Sequence, residues 1–195
     1  MEQNVENNSD VANQLNVSGN HGNIYMGTKS RFSKRFEKLN TEVTSDTKYE
    51  GIMDALKHYL TKLDGVDMPT KLQDGGFTER EILTATRRKE QYAKKLEKSK
   101  FYESAQWINS QLFAKIKINF EAYVEPLINS GAAKDEILLA VVQNVITPVL
   151  ALINEEGEHD TFLNYDAEDV FGMIYYLTGK CHINWKNYDS IQPSV

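Results

Sequence analysis

Between Phe101 and Leu127 the side chains Phe101, Ala105, Ile108, Leu112, Ile116, Phe120, Tyr123 and Leu127 recur at three- and four-residue steps. A rhythm near 3.6 residues held over so long a run fits one face of an α-helix, since a strand would scatter it onto both sides. Any fold for this chain must give that stripe a partner, and the neighbouring segments offer the same kind of face. Phe32, Phe36, Leu39 and Val43 form one such stripe, and Tyr49, Ile52, Met53, Leu56, Tyr59, Leu60 and Leu63 form another that stops at Asp64-Gly65. "DMPTKLQDGG" reads as a loop with at most one helical turn. Thr78 and Glu81 have the spacing of a capping box and open a charged helix running to about Lys100. The long stripe ends around Pro126 and Ser130-Gly131. Residues 134–153 are apolar around much of a helical circumference, which predicts a central helix. Asp166, with Asp169 three residues on, is an N-cap candidate for a last helix from about Ala167 to Leu177, with Gly179 at its end. "CHINW" is expected to be a short terminal strand. The fold class is all-α, a bundle of five or six helices.

The first 27 residues differ in composition. Seven asparagines fall within the first 25 positions, and no lysine or arginine precedes Lys29. Leu15 and Val17, then Ile24 and Met26, alternate with polar residues around Ser18-Gly19-Asn20-His21-Gly22. Gly and Asn tolerate positive φ, so the pattern fits two short strands about a turn. A lone hairpin is marginal in water; the segment is expected either to stay disordered or to pair its open edge with another copy. The chain then divides into an Asn/Gly-rich segment (1–28), a linker helix (29–45), a helical adaptor domain (46–186) and a tail (187–195).

Net charge is −6, unevenly spread: residues 134–170 carry nine acids and one base, residues 80–100 eight bases. Such polarity can orient self-assembly or a charged partner. One cysteine excludes an internal disulfide framework. No charged-then-apolar leader is present, and Gln143, Asn144 and Pro148 interrupt the most apolar run, so it is not expected to span a membrane. The expected location is the cytoplasm.

Three clusters could carry chemistry. Cys181-His182 is the obvious candidate for a nucleophile and its base, but neighbours in an extended segment point to opposite faces. A buried cysteine beside a hydrogen-bonded histidine is the better reading. His58, the doublet His159-Asp160 and a later acid, Asp166 or Asp169, follow the ligand order of HD-type metal phosphohydrolases; the doublet, however, sits in a glycine-containing loop that would not fix ligand directions. On the charged helix Arg80, Arg87, Lys94 and Lys98 fall within about 20° of one another over about 27 Å, flanked by Arg88 and Lys95. That stripe is a solvated face, a phosphate contact or a docking face for an acidic partner; no interleaved aromatics suggest base stacking. No catalytic residue, metal site or cofactor is assigned.

"LKHYLTKLDG" (Leu56–Gly65), "FYESAQWINSQLFAKIKINFEAYVEPLI" (Phe101–Ile128) and "DVFGMIYYLTGKCHINW" (Asp169–Trp185) together resemble the C-terminal domain of effectors of bacterial ABC-three-component defence systems. The resemblance spans roughly residues 45–186, and its last motif is the most specific. It implies a helical recruitment module rather than a catalytic part, with an effector or an ATPase component as partner. Phe171, Met173, Tyr175, Tyr176, His182 and Trp185 are then core or partner surface. About 45 residues precede the similar region, too few for a nuclease or protease domain, so the expectation is an adaptor that self-associates through its N-terminal segment.

Overall fold

A computed structural model describes residues 29–188. The proposed hairpin residues Leu15, Val17, Ile24 and Met26 lie outside the described residues. The described residues are all-α: α1 (Arg31–Thr44), α2 (Asp54–Leu60), α3 (Met68–Asp74), α4 (Glu79–Ser99), α5 (Glu103–Tyr123), α6 (Glu125–Ser130), α7 (Lys134–Ala140), a π-helical segment (Val141–Ile146), α8 (Thr147–Glu156) and α9 (Ala167–Gly179). The charged helix and the last helix each open with a capping box, Thr78 with Glu81 and Asp166 with Asp169. Each box satisfies N–H groups that the first turn leaves without partners.

α5 is the axis of the bundle. Ala105, Ile108, Leu112, Phe113 and Ile116 are wholly buried along it, with α1 and α2 on one side and the π segment, α8 and α9 on others. Its own N-cap position is Tyr102, which makes no side-chain cap. Glu42 of α1 supplies the cap instead: its buried carboxylate accepts the Ser104 N–H (3.0 Å) and hydroxyl (2.9 Å). The charge suits the positive end of the α5 dipole. Deep in the core, Asn109 Oδ1 accepts from the hydroxyls of Tyr92 on α4 and Tyr165 before α9, each at 2.8 Å, while its Nδ2 donates to Ala105 O.

α7, the π segment and α8 form one rod, Lys134–Glu156. Pro148 has no N–H for the carbonyl four residues back, and its ring crowds that carbonyl. The π segment lies in the turn before it, and the Asn119 side chain donates to the Asn144 carbonyl at 2.8 Å. By length and mean hydropathy (2.0) the rod qualifies as a membrane span despite Gln143, Asn144 and Pro148; a third of its most apolar window is buried in the bundle. The expectation of a central helix is therefore corrected: the rod lies at the side, with Leu139 and Val142 exposed, and α5 takes the centre.

Three other local expectations change. Met68–Asp74 is a two-turn helix started by Asp67, whose side chain caps Thr70 N–H. The helix before it ends at Leu60, where Thr61 turns extended, short of Asp64-Gly65. "CHINW" is not a strand. Cys181 has φ +69°, its N–H bonds Thr178 O and the His182 N–H reaches back to Leu177 O, which is a Schellman closure of α9.

α4 and α9 pack closely along their lengths. Gly172 permits it: a Cβ there would lie 2.7 Å from both the Arg88 carbonyl oxygen and Tyr92 Cβ. Gly172→Ala is expected to cost about 1–3 kcal/mol in urea unfolding through overpacking. Gly65→Ala, where a Cβ meets nothing within 4 Å, should stay within about 0.5 kcal/mol.

Candidate docking groove

The close α4–α9 contact leaves a groove of about 350 Å³ on its outer side, closed by the first half of the Lys134–Glu156 rod. Positions i, i+3 and i+4 on α9 place Phe171, Ile174 and Tyr175 on one face, and these form its floor. Leu138, Val141 and Val142 line the rod side; Arg80, Thr84 and Arg88 line the α4 side. Trp185 closes the bottom. Its ring meets Phe77 (4.9 Å between centroids) and Phe120 (5.3 Å) edge-on. Its indole N–H is spent on Thr178 Oγ1 at 3.0 Å, so the groove sees carbon and not a donor. The floor and the rod wall are apolar, the α4 wall is charged, and Val142 remains 42 % exposed, an arrangement typical of an interaction surface.

The groove's charges are mostly paired. Arg88 forks onto Glu168 (2.8 and 2.6 Å) and lies 4.4 Å over the Phe171 ring. Glu81 bonds Lys134 at 2.9 Å. The Thr78 N–H foremost, then Lys134, hold the Glu81 carboxyl down at about 2. Lys95, the other flank of the basic stripe, bonds the buried Asp169. The stripe residues Arg80, Arg87, Lys94 and Lys98 are exposed, and among the described residues none of the four forms an ion pair. The structure thus joins two groups that the sequence keeps apart, Arg80 and Arg88 of the stripe with Phe171, Tyr175 and Trp185 of the terminal motif. Met173 is fully buried and outside the groove; Tyr176, half-buried, stacks on Phe113. Phe77, Thr84, Leu138, Val141, Val142 and Ile174 were missed in the sequence reading. The signal for the rod residues was present: 134–146 carries more apolar side chains than one buried face can use.

Cys181 and His182 diverge, though through a turn and not an extended segment. The Cys181 thiol donates to Asp64 Oδ1 at 2.7 Å, and the fully buried Lys71 ammonium bonds Asp64 Oδ2 (2.9 Å) and Asn184 Oδ1 (2.7 Å). Partial burial pushes the Asp64 carboxyl up, but the bonds from Cys181, Lys71 and the Val66 N–H outweigh it and hold it at about 2. His182 packs instead on His58 and Tyr59, at 5.1 and 5.3 Å between centroids. Neither buried ring nitrogen has a partner within hydrogen-bond geometry, although the carbonyls of Thr61 and His58 lie near enough to act on the ring; the expected hydrogen-bonded histidine is corrected to one packed on aromatic neighbours. No nucleophile–base pair results.

The HD-type order does not assemble. His58 lies against His182, whereas His159 is beside Asn40 at the far end of α1. Asp160 accepts the N–H groups of Phe162, Leu163 and Asn164 and so pins its loop, while Asp166 and Asp169 cap α9. Among the described residues no group of three or more His, Cys, Asp or Glu could hold a metal ion.

Fold and groove together define a helical module with an open apolar surface. The chain belongs to the family of C-terminal domain 9 (CTD9) of the ABC-three component (ABC-3C) systems, whose model matches residues 67–185. That span runs from the start of α3 through Trp185 and holds the whole groove; "LKHYLTKLDG" falls before it. No curated protein and no solved structure matches the chain.

Burial, then the neighbouring His58, push the His182 imidazole below its ordinary value, with Lys117 adding to the effect and the carbonyls of Thr61 and His58 opposing it. The unfolded chain protonates this ring near about pH 6.5 while the folded chain resists, so stability falls as pH drops through that value and is level above it. Replacing the ring by His182→Phe should remove that component, making the unfolding free energy flatter between about pH 7.5 and about pH 5.5. Urea titrations at the two pH values measure it.

Proposed function

We propose that this chain is a non-enzymatic adaptor of an ABC-3C anti-phage defence system, docking an effector or ATPase component through its helical body. The observation that carries the reading is the groove, where Phe171, Tyr175 and Trp185 meet the half-buried Leu138 and the exposed Val142. An apolar groove rimmed by charged residues is the kind of surface a partner covers. The adaptor acts in the cytoplasm, uses no cofactor and self-associates through residues 1–28, with Leu15, Val17, Ile24 and Met26 as the pairing residues. In this division 29–45 is the linker helix, 46–186 the adaptor domain and 187–195 a tail.

Two experiments test this. Co-expression with the effector and ATPase components of its own system should yield a stoichiometric complex on co-purification, and failure with both would remove the adaptor reading. Deleting residues 1–27 should lower the mass found by light scattering while leaving the helical circular dichroism signal per folded residue intact. An unchanged mass would sink self-association by that segment.

One observation favours a second reading, a nucleic-acid-binding accessory protein: Arg80, Arg87, Lys94 and Lys98 are exposed and unpaired among the described residues. Duplex binding by that stripe would weaken steeply with salt, and Arg87→Ala with Lys94→Ala would reduce the salt slope by about two.

A further inference from the structure

The geometry points to one kind of occupant for the groove: an amphipathic α-helix with its apolar face down and carboxylates along the flank that meets α4. This rests on the docking reading above and specifies what docks. Three observations select it.

Backbone bookkeeping comes first. Among the described residues there is no strand whose edge could extend into an added one. An extended peptide would therefore carry unpaired N–H and C=O groups into an apolar trough. A polyproline segment needs ring-borne donors for its carbonyls. Here the Trp185 N–H is committed to Thr178, which leaves the Tyr175 hydroxyl as the single ring-borne donor among the described residues along the groove. A helix satisfies its own backbone and asks the groove only for apolar contact.

Shape is the second. The trough runs along α4, with Arg80, Thr84 and Arg88 at successive i, i+4 positions on one wall and Leu138, Val141 and Val142 on the other. At about 350 Å³ it lies near the small end of the ~300–1,000 Å³ range of ligand pockets. That is room for a few anchor side chains from one face of a helix, not for a folded domain.

Charge is the third. Within the α4 wall Glu81 is cancelled by Lys134 and Arg88 by Glu168, which leaves Arg80 uncompensated, with Arg87 beside it on the stripe. On the rod, Asp135 lies three residues before Leu138 and flanks the groove side, whereas Glu136 falls on the face away from it. A docked helix thus meets unpaired cations on its α4 flank and none on the rod, where Lys134 is tied to Glu81, so acidic residues are favoured toward α4. This polarity sets the orientation of the helix about its own axis.

The test uses fluorescence anisotropy of labelled peptides of about 15 residues with Leu or Phe at i, i+3, i+4 and i+7. One has Glu along a single flank, a second has Lys there, and a third is the Glu peptide with its apolar positions scrambled. The full chain should bind the Glu-flanked peptide about tenfold more tightly than the Lys-flanked one at low salt, and the scrambled one not measurably. Arg80→Glu with Arg87→Glu, both surface changes, should reverse the preference, and Val142→Glu should abolish binding while thermal unfolding by circular dichroism stays cooperative.

Equal affinity for the Glu and Lys flanks overturns the inference. So does duplex DNA binding that disappears in Arg80→Glu, Arg87→Glu while peptide binding stays unchanged, since the stripe then belongs to nucleic acid. Co-purification with the system's own components separates this failure from the broader one. If Val142→Glu breaks that complex but no peptide discriminates, docking stands and the acidic helix falls. If Val142→Glu leaves the complex intact, docking at this groove falls with it.

Discussion

The arrangement depends on a single carboxamide with no access to water. Asn109 Oδ1 accepts from two phenols, Tyr92 of α4 and Tyr165 at the approach to α9, and the same side chain is anchored to its own helix through Ala105 O. Burial drives both hydroxyls well above their ordinary range, so each remains a donor. Removing the shared acceptor would leave two buried donors unsatisfied, whereas each bond made is worth only about 0.5–1.5 kcal/mol net. The network therefore specifies more than it stabilises: it fixes where α4 and the α9 leader sit on α5. With that register set, Gly172 lets α9 close onto Arg88 and Tyr92. The groove is the space left on the outer side of this contact.

The uneven charge of the sequence takes a different meaning in three dimensions. The basic stretch 80–100 and the acidic stretch 134–170 meet each other through Arg88–Glu168 and Lys95–Asp169, and Glu81 of the first pairs with Lys134 of the second. Lys95–Asp169 is the most consequential, because Asp169 is buried and is also the capping-box acid of α9. A buried carboxylate left without its cation costs far more than an exposed pair contributes. Much of the polarity is thus internal. What remains for a partner is the outer row, Arg80, Arg87, Lys94 and Lys98.

Legibility followed the range of the interactions. Helical rhythm and capping boxes are decided within a few residues, so the stripe from Ala105 to Phe120 and the pairs Thr78–Glu81 and Asp166–Asp169 could be read directly, whereas Phe101 lies before α5, Tyr123 is exposed and Leu127 belongs to α6. The cap of α5 could not, because Tyr102 has no oxygen near its backbone and the donor of the charge is Glu42, 62 residues before Ser104. Residues 134–153 read as central because they are apolar around much of a helical circumference. Hydropathy measures what a helix could bury, not what its neighbours leave room to cover. The groove has the same character: Arg80 and Tyr175 are ordinary positions on two separate helices until the α4–α9 contact brings them to one trough.

Cys181-His182 shows how a local exception can mimic chemistry. α9 must stop so that Trp185 can fold back beneath the groove, and a Schellman closure needs a residue in the left-handed region. Glycine is the usual choice, yet Gly179 lies two positions too early and Cys181 takes the strained place at φ +69°. A β-carbon there is disfavoured, so compensating contacts are required, and the thiol's bond to Asp64 provides one. Asp64 is in turn held by Lys71, which also grips Asn184 one residue before Trp185. The turn, the carboxylate and the buried lysine form one clamp on the end of α9. His182 is turned away from it by the same geometry, toward His58 and Tyr59. The residues that look like a nucleophile and its base are separated by the very turn that puts Trp185 where the groove needs its floor.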